Sequence, residues 1–272
     1  MVLFGCCLAG GALPALAQCK GDADDQTITP SPSQPTVTDS PDPIAKGVAA
    51  LEYGWQQDWI GGEARVRGSG VLFKMGLICN FEFRAFFTAW QSAVIPPQYP
   101  VDGIGDTWFT GQYRVHRQSA KAPAFSIQYT FKQPTADSRK GLGSGQRDHI
   151  VAMSAGKDFE GFSFAFETKY ILFGKADSEP FSRRQEYSLE ASHDLVRHLS
   201  LTGEIYGDTR SSTGEPGIVS SLWALSYSPK PRVIFDSGMD FGVTHGAPSK
   251  RFFAGVSYAL GDVYKALRHQ RP

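Results

Sequence analysis

The sequence predicts an all-β fold, an antiparallel transmembrane β-barrel of about 12 strands with short periplasmic turns and longer outer loops. Three observations support this prediction. Segments with alternating apolar and polar residues recur along the chain, their connections alternate between long and short, and the first residues resemble a secretory signal. The barrel is expected to span residues 48–260, followed by a C-terminal tail at 261–272.

The N-terminal residues are expected to direct secretion. Residues 1–17 are small and apolar and end in Ala-Leu-Ala, an A-x-A cleavage pattern, although no basic residue precedes the apolar core. A buried helix of a cytosolic protein is the alternative interpretation. After cleavage, Cys19 and Cys79 are expected to be isolated thiols, too few for a disulfide framework or a zinc site.

Residues 18–47 are predicted to form a disordered segment before the first strand. They are rich in Pro, Ser, Thr and Asp, a composition that cannot bury enough apolar surface to order itself. A plug folded into the barrel lumen is the alternative interpretation of this segment.

The clearest strand in the sequence is Phe162–Phe173. Phe162, Phe164 and Phe166 fall on one face of such a strand, whereas Glu167 and Lys169 fall on the other. A tilted strand that crosses a bilayer needs roughly 9–11 residues, and this segment is long enough. It therefore has the length and the two-faced character of a barrel strand.

Similar alternation predicts eleven further strands, which brings the total to an even number, as in bacterial outer-membrane barrels. The predicted strands are residues 49–58, 62–76, 80–91, 105–116, 123–133, 147–157, 161–173, 184–194, 197–208, 217–227, 232–243 and 250–260.

The connections between these strands are sorted by length. The long ones, rich in Pro, Gly, Ser and Asp, are 92–104, 134–146, 174–183, 209–216 and 244–249. Most of the links between them are short turns. If the N-terminus starts in the periplasm, every long connection lies outside, as outer-membrane barrels require.

No catalytic, metal or cofactor motif is found, so the sequence predicts neither an enzyme nor a cofactor. The histidines form no zinc-protease pair, and no Gly-x-Ser-x-Gly motif occurs. An outer-membrane hydrolase barrel and a structural or adhesive barrel are the alternatives to a transporter or pore. His149 and Ser154 are five residues apart and so fall on opposite faces of one strand, which argues against a hydrolytic dyad there.

The candidate functional residues are the charged side chains predicted to face the lumen. They are Glu82, Arg84, Arg114, Lys132, Glu167, Lys169, Glu186, Glu190, Glu204, Asp208, Asp236 and Asp240. Two interpretations stay open: paired charges that stabilise a closed lumen, and a water-filled, charge-lined path. Acid outweighs base in this set, which favours water in the lumen and a mild preference for cations or neutral solutes over anions.

Several short motifs resemble one family. Gly103-Ile104-Gly105-Asp106, followed by Gly111-Gln112-Tyr113-Arg114, resembles the Gly-x-Gly-Asp…Tyr-Arg opening of the outer-membrane transporters linked to the meta-pathway of phenol degradation. The segments Phe235–Gly242 and Phe253–Tyr258 are similar to the end of that family. The resemblance implies a β-barrel that passes small hydrophobic or aromatic compounds by passive diffusion, with no catalytic residues.

The expected location is the bacterial outer membrane, and the expected partners are outer-membrane lipid, a small-molecule solute and the barrel assembly machinery. Nucleic acid is not an expected partner. The chain has 27 Lys and Arg against 27 Asp and Glu, whereas nucleic-acid binding requires a basic face.

Overall fold

A computed structural model describes residues 28–61, 64–95, 99–174, 182–209 and 217–269. The predicted signal peptide, residues 1–17, lies outside the described residues, as does Cys19. No helix among the described residues is long and apolar enough to cross a membrane.

The strands form one closed antiparallel barrel. They are β1 (Val48–Ile60), β2 (Ala64–Ile78), β3 (Phe81–Val94), β4 (Val101–Gly103), β5 (Thr107–His116), β6 (Ala124–Gln133), β7 (Asp148–Phe159), β8 (Phe162–Phe173), β9 (Ser182–Val196), β10 (Leu199–Asp208), β11 (Ile218–Lys230), β12 (Val233–Gly242) and β13 (Lys250–Asp262). Each long strand pairs with the next long strand along the chain, β3 pairs directly with β5, and β1 pairs with β13 to close the barrel. The predicted 12-stranded barrel is confirmed.

Two elements differ from the prediction. The short strand β4 pairs with the far end of β3 and lies within the predicted long connection at 92–104. Three residues are too few to show a period-2 pattern, so the sequence gives no signal for it. After β13 the predicted tail continues as a short helix, α1 (Val263–His269).

The connections are sorted as predicted. Two-residue turns join β2 to β3, β7 to β8, β9 to β10 and β11 to β12 at one end, which also carries Val48 and Asp262 and is called the termini end below. At Glu160 and Gly161 both φ angles are positive, +50° and +84°, as in the type I′ turns that suit tight hairpins. The connections that follow β3, β6, β8, β10 and β12 lie at the opposite end, called the loop end, whereas the seven-residue connection between β5 and β6 lies at the termini end.

The barrel wall is polar on the inside and apolar on the outside. Along β8, Phe164 is 43% exposed, whereas Glu167 is fully buried. The largest fully buried side chains include Lys74, Gln112 and Glu52, the reverse of a water-soluble core. Such a wall requires an apolar solvent outside the barrel and polar partners within it.

Residues 28–47 lie inside the lumen and correct the prediction of disorder for this part of residues 18–47. Thr38 and Ile44 are 2% and 3% exposed, and backbone N–H groups along the segment bond to side chains of the wall. Near the termini end, Ile44 packs with Val48 and Ala50. The segment is called the plug below. The composition of the segment predicts disorder because it contains no information about the side chains of the wall to which the segment bonds.

Candidate functional site in the barrel lumen

All twelve predicted lumen residues lie on the inward-facing, buried side of their strands. The buried ones are Glu82, Arg84, Arg114, Lys132, Glu167, Glu204, Asp236 and Asp240. Lys169, Glu186, Glu190 and Asp208 share this inward face, and Asp208 pairs with Arg184 at 3.3 Å. Position along each strand fixes the inward direction because successive side chains alternate between the two faces.

Most of these charges are paired with a neighbour on the wall. Lys169 Nζ lies 3.2 Å from Glu167 and 3.1 Å from Glu186, and the Arg84 guanidinium bonds to Glu82. Glu52 and Lys74, which were not among the predicted residues, form a further pair at 2.7 Å. The sequence missed this pair because the alternation along β1 and β2 is irregular.

The plug bonds to the middle of the wall through Glu204. This carboxylate accepts the N–H of Val37 at 2.8 Å, the N–H of Thr38 at 2.7 Å and the Thr38 hydroxyl at 2.6 Å. Glu190 lies directly opposite Glu204 on the neighbouring strand. Two carboxylates in register repel each other. The N–H and hydroxyl groups that the plug donates to Glu204 therefore offset a repulsion that the wall alone would leave.

Glu52, Lys74 and Lys169 bind further backbone groups of the plug between Ser31 and Val37. Glu52 accepts the N–H of Ser33 at 3.0 Å, and Lys74 donates to the carbonyl oxygen of Ser31 at 2.6 Å. Lys169 donates to the Val37 carbonyl oxygen at 2.8 Å. The wall thus supplies both acceptors and donors to the plug backbone.

The part of the plug that returns to the termini end is held by ion pairs. Arg84 contacts Asp39 at 2.6 Å, and Arg114 contacts Asp42 at 2.6 Å. Burial raises the pKa of the Asp39 carboxyl, but the positive charges of Arg84, Lys169 and Lys74 together outweigh burial and hold this pKa below its ordinary value. The Arg84–Asp39 pair therefore persists at neutral pH and is lost only as the pH falls through this depressed value.

Glycines in the wall make room for the plug. A Cβ on Gly54 would overlap the Gln34 side chain, and a Cβ on Gly76 would overlap the Ala45 carbonyl oxygen. Because the second contact is with backbone, no side-chain rotation could relieve it. The plug and the glycines of β1 and β2 therefore fit one another at close range.

A cavity of about 420 Å³ lies beside the part of the plug that reaches mid-lumen. Gln34 and Val37 of the plug line the cavity on one side, and Phe86, Phe253 and Gly68 of the wall line it on the other. Such a volume holds a small organic molecule. It occupies the half of the lumen toward the loop end.

The loop end of the lumen has its own ion-pair cluster. Lys132 lies 2.7 Å from Asp148 and 3.3 Å from Asp106. Asp106 in turn accepts the N–H groups of Thr135 and Ala136 at 3.1 and 3.0 Å, which positions the 134–147 connection. These contacts hold the connection against the loop end of the wall, and none of these residues lines the cavity.

Two sequence expectations about reactive side chains have different outcomes. Cys79 is disulfide-bonded, so the expectation of an isolated thiol is wrong; the other three cysteines lie outside the described residues. Ser154 is fully buried and bonds to Ser126 at 2.8 Å, whereas His149 faces outward and bonds to the Tyr129 hydroxyl at 2.7 Å. Ser154 and His149 therefore lie on opposite faces of the wall.

Comparison with solved structures shows the same fold. An outer-membrane channel from Pseudomonas putida F1 matches with a TM-score of 0.64 and 9% identity, over 83% of this chain and 100% of that chain. The KdgM porin in complex with disordered oligogalacturonate matches at 0.54 and 9%, over 78% and 99% of the two chains. The NanC porin matches at 0.51 and 11%, over 77% and 98%.

The chain therefore has the fold of outer-membrane channels and porins, a closed transmembrane β-barrel. No protein-family model matches the sequence, and no curated protein matches it. Identities this low support the shared architecture alone.

Proposed function

We propose that the protein is an outer-membrane channel that passes small solutes by passive diffusion and that the plug narrows its path. The observation that carries this proposal is the polar, charge-lined lumen inside an apolar wall. A purely structural barrel has no need for a cavity of about 420 Å³ next to a hydrogen-bonded plug. The solute class is small and hydrophobic or aromatic, and the Phe86 and Phe253 rings in the cavity wall suit such a molecule.

The location of the protein gives the first prediction. Cell fractionation is expected to recover it in the outer membrane, with the loop end outside and both chain termini in the periplasm. Because the closed barrel resists detergent until heated, the folded protein is expected to migrate differently on a gel before and after boiling. Recovery in the soluble periplasmic fraction, with unchanged migration, would contradict this location. The barrel assembly machinery stays an expected partner.

Ion selectivity gives the second prediction and tests the function itself. In planar bilayers, the reversal potential across a salt gradient is expected to show a mild preference for cations over anions. Acids outnumber bases along the lumen, and Asp236 has no positively charged partner among the described residues. Replacing both Asp236 and Asp240 by Asn is expected to reduce the cation-to-anion permeability ratio about twofold. If the parent channel prefers anions, or if the double variant has unchanged selectivity, the lumen carboxylates do not set the ion selectivity and the prediction is wrong.

A hydrolase barrel is the alternative function. The separation of Ser154 and His149 across the wall leaves no dyad in β7. Phospholipase or protease activity of the purified protein that is lost in His149→Ala would establish the alternative and exclude the proposed role.

A further inference from the structure

Asp236 is a buried carboxylate without a partner. It lies on the inward face of β12 and is 5% exposed, and both its oxygens are buried without a hydrogen bond. It has no ion-pair partner among the described residues. Burying an ionised carboxylate in this way is strongly unfavourable unless a positive charge or several donors reach it.

A second oxygen in the same place also has no partner. Ser257 on β13 is fully buried, and its hydroxyl oxygen makes no hydrogen bond. The pairing places Gly255 directly opposite Asp236, and Ser257 is the next inward residue along β13. Asp236 and Ser257 are therefore diagonal neighbours on the lumen side of the wall.

The plug contributes a third oxygen. A Cβ on Gly255 would overlap the Gln34 side-chain oxygen and would lie 2.9 Å from each carboxylate oxygen of Asp236. The amide oxygen of Gln34 and the carboxylate of Asp236 thus approach the same point above Gly255. Two acceptors that converge in this way repel each other unless something positive lies between them.

The surrounding charges leave one negative charge uncompensated. Glu52, in register with Ser257, is already paired with Lys74 at 2.7 Å. One carboxylate with neutral hydroxyl and amide oxygens matches the needs of a hard, singly charged cation.

We propose that Asp236, Ser257 and Gln34 bind a monovalent metal cation between the plug and the β12–β13 wall. The site deepens the proposed function, because a cation bound there lies beside the solute path and joins the plug to the wall. It places Gln34 of the plug against β12 and β13, three residues before Val37, which bonds to Glu204.

Sodium NMR relaxation of the purified protein in detergent tests this site without any transport. Sodium is added to protein in N-methylglucamine chloride at constant ionic strength, since that large organic cation cannot enter the space above Gly255. Saturable broadening of the sodium signal is expected. Asp236→Asn is expected to weaken sodium binding at least about tenfold, since it removes the only formal charge of the site.

Asp148→Asn is the matched control, because Asp148 is an equally buried lumen carboxylate whose charge is already paired with Lys132 at 2.7 Å. It is expected to bind sodium as the parent does. Heat-modifiable migration verifies that both variants fold. No saturable broadening in the parent, or equal broadening in Asp236→Asn, would overturn the site. A protein that binds sodium but passes no solute would refute the channel function and leave the site intact.

Discussion

Deleting residues 28–46 is expected to raise the single-channel conductance about three- to tenfold, because a barrel of this size conducts freely only when chain does not fill its lumen. The deletion removes every plug residue that bonds to Glu204, Glu52, Arg84 and Arg114, and it keeps Gly47 and the start of β1. The wall itself is unchanged, so the barrel is expected to stay folded and heat-modifiable.

A plug of the same length built from Gly and Ser is the matched control for this deletion. It keeps the chain in the lumen but lacks Asp39, Asp42 and the Thr38 hydroxyl, which bond to the wall. In single-channel recordings this variant is expected to close often and briefly, whereas the parent, whose plug is bonded to the wall, is expected to stay at low conductance for long periods. If the deletion variant and the parent have equal conductance, the plug does not limit the path.

Replacing Glu204 by Gln is expected to raise about tenfold the fraction of time that the channel spends open, with the plug released from the wall. Hydrogen bonds to a charged group contribute about 1.5–3 kcal/mol each, and the neutral amide keeps only one of the two acceptor oxygens. The free energy lost from plug binding is expected at the lower end of this range, because the substitution also removes the repulsion between Glu204 and Glu190. Single-channel open probability measures the effect.

Asp148→Asn serves as the control for Glu204→Gln as well. Asp148 bonds to Lys132 and to the Gly174 N–H at 3.0 Å, both toward the loop end and away from the plug. It is expected to leave the open probability near that of the parent. Equal open probabilities for Glu204→Gln and the parent would show that this carboxylate does not hold the plug.

The barrel could be predicted because the alternation that specifies each strand is contained within a few neighbouring residues. Phe162–Phe173 alternates so regularly that the predicted strand, 161–173, differs from the observed β8 by one residue. The same alternation distinguishes the inward face from the lipid face, and it therefore identifies Glu167 and Asp236 as inward-facing residues from the sequence alone. Period-2 patterning needs no knowledge of distant contacts, which is why it sufficed.

The sequence offers the plug only as the alternative to a disordered segment, because the partners of the plug are distant in sequence. Thr38 and Glu204 are 166 residues apart, and no pattern within residues 28–47 indicates that a carboxylate will receive its N–H groups. The fully buried pair of Glu52 and Lys74 was missed because the first two strands alternate poorly. Cys79 appeared isolated because the sequence alone does not show which residues approach a turn.

Solute flux into liposomes tests passive transport through this lumen most directly. Purified protein is reconstituted, and the entry of small neutral aromatic and polar solutes is compared for the parent, the variant without residues 28–46 and empty liposomes. The parent is expected to admit solutes slowly and the deletion variant several times faster. No flux above that of empty liposomes in either protein, with heat-modifiable barrels verified in the same vesicles, would contradict a channel function.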